Sequence, residues 1–113
     1  MGLGVWSDNT RRFYPARTIR RVGRLAVDTF EGRNLLVYVD PATTTLVALF
    51  IDSAQARLEG AEILLGNGQR VRAGRLVDAD NAPVATERPQ QIFSRWYGFS
   101  LTFPDPEIYE SAK

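Results

Sequence analysis

A chain of 113 residues, 44% hydrophobic and 24% charged, is long enough for one core and too short for two ordinary domains. Fourteen basic and thirteen acidic side chains leave a net charge of +1, so no global field draws the chain to nucleic acid or to an anionic membrane. Cysteine and histidine are absent, which excludes disulfides, thiol catalysis, Cys/His zinc sites and the Ser-His-Asp triad, and leaves any enzyme here with carboxylates, tyrosine, arginine or the single lysine, Lys113.

The opening "GLGVWSDNTRRFYP" reads as a hairpin, with Val5 and Trp6 on one arm and Phe13 and Tyr14 on the other. The "SDNT" between them supplies side chains that bond their own backbone in turns. "ARTIRRVG" follows, with Ile19 and Val22 three apart and Gly23 as a stop, which predicts one or two helical turns. "RLAVDTFEGRNLLVYVD" predicts a β-hairpin about "EGR", and Pro41 with Asp40 marks the next turn. "TLVALFI" lacks polar alternation, which predicts a strand buried on both faces.

A meander of short strands comes next, "AEILL", "QRVRA" and "RLVDA", with turns at Glu59-Gly60, Asn67-Gly68, Ala73-Gly74 and Asp80-Asn81. "TERPQQIFSRWYGFSLTFP" fits two periods. A helix from about Pro89 to Leu101 aligns Ile92, Trp96, Phe99 and Phe103 on one stripe, and this is the favoured reading. A strand would put Phe93, Tyr97, Phe99, Leu101 and Phe103 on one face. "DPEIYE" closes the chain as an extended piece.

The expected architecture is a single α+β domain over residues 1–113. It has a small, mainly antiparallel sheet, partly closed, one short Arg-rich helix and one aromatic C-terminal helix. No signal peptide and no membrane-spanning run is visible, so a soluble chain without membrane insertion is expected. It could be the C-terminal module of a longer, exported parent. The compartment cannot be read from a chain without cysteine.

"VDTFEGRNLLVYVDPATTTLVALF" and "RLVDADNAPVATERPQQIFSRWYGFSLTFPDPEIY" resemble the bacterial domain-of-unknown-function family numbered 3179. Its members carry "NDTF-GGR-LVV", a "DGRLVD" turn and an aromatic close ending in "FP"; the ending "QLFTRWYGF-LTFPGCEIY" belongs to a selenoprotein-related branch. The matching residues run from Val27 to Phe50 and from Arg75 to Tyr109. Two departures stand out. Asp40, Pro41, Ala42 and Thr43 occupy the place of a "CPLC"-like pair, and Pro106 stands where the branch has a cysteine. The resemblance thus implies a fold-like frame and withdraws thiol or selenol chemistry from this chain.

Three sets of residues are candidates for function. Arg95, Trp96 and Tyr97 combine the residue types that dominate binding hot spots, and with Asp28 and Tyr14 they are the candidate binding residues. The competing reading makes the rings core and pairs Arg95 with Asp28 or Asp40, while Gly98 admits a close neighbour. In "RRFYPARTIRRVGR", Arg17, Arg20, Arg21 and Arg24 are candidate anion ligands; the competing reading is a solvated helix face. Asp28, Asp40, Asp78 and Asp80 sit at turns, where aspartate caps backbone, so no metal site is assigned and no cofactor is expected. "LLGNGQ" lacks a following helix and is read as a hairpin turn, not a phosphate loop.

The first functional expectation is a non-catalytic structural or protein-interaction module, with a protein partner or self-association and no nucleic acid. The alternatives are a redox or enzyme accessory domain that has lost its reactive cysteines, and a weak anion or nucleic-acid binder through Arg11 to Arg24.

Overall fold

The computed structural model describes residues 1–110. The hairpin β1 (Gly2–Trp6) and β2 (Arg11–Pro15) leads into α1 (Ala16–Arg21). Next come β3 (Leu25–Phe30), β4 (Arg33–Val39) and β5 (Leu46–Ile51), then the meander β6 (Ala56–Glu59), β7 (Glu62–Leu65), β8 (Arg70–Arg72) and β9 (Arg75–Val77). The chain ends with β10 (Gln90–Ser94), α2 (Trp96–Thr102) and β11 (Glu107–Ile108).

These strands form three sheets, ordered β10-β1-β2-β11, β3-β4-β5 and β6-β7-β8-β9. All pairings are antiparallel except that of β11 with β2. The fold is α+β as expected, but the strands are divided among three open sheets and no barrel closes.

The middle sheet explains the unbroken apolar runs. Ala26, Phe30, Leu35, Val37, Leu46 and Ala48 share a core with Leu3, Val5 and Tyr14 of the first sheet and Ile19 of α1. Leu36, Tyr38, Leu49 and Ile51 turn the other way and share a second core with Ile63, Leu65, Val71 and Leu76 of the third sheet. A sheet covered on both sides needs apolar residues at consecutive positions, so β4 and β5 show no alternation. Three stacked layers are the result.

Local chemistry sets the connections. Glu31 and Gly32 both have positive φ, 52° and 78°, as a two-residue type I′ hairpin requires. The α1 helix ends in a Schellman motif: Arg24 N–H donates to Ile19 C=O (2.9 Å) and Gly23 N–H to Arg20 C=O (3.4 Å). On the edge of β5, the Gln91 side chain stands in for a strand. Its Oε1 accepts from Ala48 N–H (2.8 Å) and its Nε2 donates to Ala48 C=O (2.9 Å).

The segment favoured as one helix from Pro89 to Leu101 is a strand followed by a helix. Gln90–Ser94 pairs with β1, Phe93 opposite Leu3, and the helix begins only at Trp96 after an extended Arg95. The backbone groups along β1 need a partner on that side, and β10 supplies it. Phe93 then points to the inner core while Ile92 points outward, a separation that a helical stripe would not produce.

Candidate functional site

The outer face of the first sheet is built around glycine. Gly4 stands beside Phe13 on one side and Ile92 on the other, and Phe13 is in turn beside Ile108, so these four residues form one row across the sheet. A Cβ on Gly4 would lie 2.2 Å from the Phe99 ring. The missing side chain therefore lets α2 lie directly on the sheet. Phe99 is buried, with ring centroids 5.7 Å from Phe13 and 5.0 Å from Phe103, and Trp96 meets Phe13 edge-on at 5.2 Å. Trp6 is 5.0 Å from Phe103. At Gly98 a Cβ would meet nothing within 4 Å, so the close approach expected there belongs to Gly4.

One seven-residue helix cannot cover this face. Tyr97 and Leu101, one helical turn apart on α2, are 72% and 68% exposed. Ile92 and Ile108, at the two ends of the glycine row, are each 51% exposed, and Trp96 is 39% exposed. The C-terminal rings are thus divided: Phe99 is core, Phe93 and Phe103 are half-buried, and Trp96 and Tyr97 reach solvent. Single exposed apolar residues are ordinary; five on one side of one sheet are not.

The predicted binding residues separate into two places. Arg95, Trp96 and Tyr97 lie on the outer face, whereas Tyr14 and Asp28 lie between the first and middle sheets. The expected pairing of Arg95 with Asp28 or Asp40 does not form. Asp28 Oδ2 accepts from Arg12 Nη1 and from the Tyr14 hydroxyl, both at 2.8 Å. Arg12 also donates to the Thr29 carbonyl (2.8 Å) and binds Glu107 (2.9 Å), and its guanidinium lies 5.3 Å from the Phe30 ring centroid. The Asp40 carboxylate accepts from Ala42 N–H (2.8 Å), a turn bond of the kind expected of aspartate.

Burial raises the Tyr14 pKa, and its hydrogen bond to Asp28 raises it further. A phenol that holds its proton and has its acceptor satisfied is fixed as a donor, so the Arg12–Asp28–Tyr14 cluster ties two sheets together. Arg12 was the partner that sequence reasoning missed. It lies two residues before Tyr14 on one strand and shares its inward face, so strand period alone could have marked it.

The arginine run separates as well. All four candidate arginines are exposed, and of them Arg20 and Arg24 also line a cavity of about 580 Å³ between the β4–β5 turn and the third sheet. No cluster of three potential metal ligands occurs among the described residues, and none of their helices is long and apolar enough to cross a membrane. Lys113 lies outside the described residues. No protein-family model, curated protein or solved structure matches this chain.

Proposed function

We propose that this chain is a non-catalytic interaction module that pairs with a second copy of itself through the outer face of the first sheet. The observation that carries the reading is the grouping of Ile92, Trp96, Tyr97, Leu101 and Ile108, all exposed, around α2. Self-pairing is favoured over a foreign partner by charge. Arg95 directly precedes Trp96, Arg11 lies opposite Trp6 on β2, and Asp105 lies in the link between α2 and β11; all three are exposed, and none makes an ion pair among the described residues. A rim carrying both signs is complementary to itself across a two-fold axis. The strand order supports this too, because β10, which carries Ile92, is an edge strand with one side open to pairing.

The resemblance to the domain-of-unknown-function family enters only as compatible with a module that has no thiol chemistry. Asp40 to Thr43, at the place of the family's cysteine pair, form a turn in which Thr44 N–H donates to Asp40 C=O (2.7 Å).

Sedimentation velocity over a concentration series tests the pairing. The chain is expected to move from monomer to dimer, and Tyr97→Glu with Leu101→Glu should hold it monomeric, with an unfolding midpoint equal to that of the wild type at concentrations where both are monomers, because both side chains are exposed. A wild-type chain that stays monomeric at its highest soluble concentration, or a dimer that survives both charges, overturns the reading.

A further inference from the structure

A second feature lies away from the aromatic face, at the cavity between the middle and third sheets. Its walls come from the end of β4 and the following turn (Val39, Pro41), from the β6–β7 hairpin (Leu58, Ile63) and from α1 and its cap (Arg20, Arg24). At about 580 Å³ it falls within the usual range for small-molecule sites, roughly 300–1,000 Å³. We propose that it binds a small amphipathic organic anion, with the apolar body against Leu58 and Ile63 and the acid group on Arg20 and Arg24.

Arg24 provides the first argument. Its backbone is left-handed, φ 71°, in the Schellman cap, and its carbonyl accepts from Val39 N–H (3.0 Å). The root of its side chain is therefore fixed beside the cavity wall. Its guanidinium makes no hydrogen bond and no ion pair among the described residues. Arg20 spends one N–H on the Thr44 carbonyl (2.9 Å), which leaves most of its fork unused.

The carboxylates of the lining are already engaged. Glu62 is held by Arg70 and Arg72, and Asp40 accepts from its own turn. A cation would therefore meet two arginines without a spare carboxylate pair to offset them, whereas an anion meets unspent bidentate donors.

Tyr38 is the second, independent argument. It lines the cavity at 3% exposure, and its hydroxyl is the buried side-chain polar atom left without a partner among the described residues. Buried hydroxyls are nearly always satisfied, so an orphan on a residue of the cavity wall calls for an acceptor from outside the chain, a water or the acid group of the proposed ligand. All four arginines are exposed, but of these Arg20 and Arg24 line the cavity and Arg17 and Arg21 do not, so two donors at one cavity suit a compact ligand better than an extended polyanion.

The test is amide chemical-shift mapping of the ¹⁵N-labelled chain with 2-naphthoate as probe and 2-naphthylmethylammonium as its cationic counterpart. Naphthoate should shift Asp40, Ala42, Ala61 and Ala73, and the cation should not. Arg24→Asn keeps a residue that tolerates left-handed backbone, so the spectrum outside the site should persist while affinity falls about tenfold. The proposal is overturned by no shifts with naphthoate, by equal binding of the cation, by unchanged affinity in Arg24→Asn, or by shifts that gather at Tyr97 and Leu101. None of these outcomes bears on the self-pairing of the aromatic face, which the sedimentation series decides by itself.

Discussion

Tyr14 and Tyr38 are both buried phenols, and their hydroxyls have opposite fates. The Tyr14 hydroxyl donates to Asp28, which also holds Arg12; the Tyr38 hydroxyl has no partner among the described residues. Removing a satisfied donor from such a network strands its acceptor, whereas removing an orphan relieves a desolvation cost. Tyr38→Phe is therefore expected to leave stability unchanged or raise it by about 1 kcal/mol, and Tyr14→Phe to lower it by a similar amount. Urea unfolding of the two variants beside the wild type measures both, and equal losses would contradict the assignment. The sequence marked Tyr14 and Asp28 as binding candidates together with Arg95, Trp96 and Tyr97, but it could not tell a ligand site from a clasp. That distinction depends on which layer faces which, and Arg12 shares the Asp28 carboxylate with Tyr14.

At the scale of elements, two glycines carry opposite expectations. Gly4 admits the Phe99 ring to the sheet, so Gly4→Ala must push α2 away and should cost about 1–3 kcal/mol. Gly98 sits inside α2 with open space around it, and Gly98→Ala should stabilise by up to about 1 kcal/mol through helix propensity. Thermal unfolding followed by near-ultraviolet dichroism should show the ring signals weakened in the first variant and kept in the second. Sequence reasoning placed the close approach at Gly98 because it lies among the rings. The true site, Gly4, lies in the first strand of the chain and far from the rings in sequence, so nothing local to the rings pointed to it. The division of residues 89–101 had the same cause: the helical and strand stripes both fitted the rings, and the open edge of β1 decided between them.

For the molecule as a whole, Tyr14, Tyr38 and Tyr109 all have raised pKa values, with burial the leading cause for each. Asp28 adds to the effect at Tyr14 and Tyr109, and Asp40 at Tyr38, where Arg88 opposes it. Above about pH 10, an unfolded tyrosine loses its proton while these folded ones keep theirs. The native state then binds more protons than the unfolded state, so stability must fall as pH rises from there towards the folded values, and it is fully present below. Urea midpoints at pH 8.5, 10 and 11 should be steady and then drop, with a shallower drop in Tyr14→Phe; a flat profile would contradict it. Two of these rings lie by the contact of the first and middle sheets and one in the second core, so alkaline loosening should reach all three layers.

The amino-acid order alone specified the hairpins, because φ-permissive turn residues and apolar runs act over a few neighbours. It also specified the Gly23 stop of α1, the doubly buried β5 and the exclusion of cysteine and histidine chemistry. Only the tertiary structure decided that the eleven strands of the described residues divide into three stacked sheets, that the C-terminal rings split between core and solvent, and that Arg20 and Arg24 line one cavity with Tyr38 while Arg17 and Arg21 do not. Periodicity tells which side of an element is apolar; what that side meets is set by contacts between residues distant in sequence.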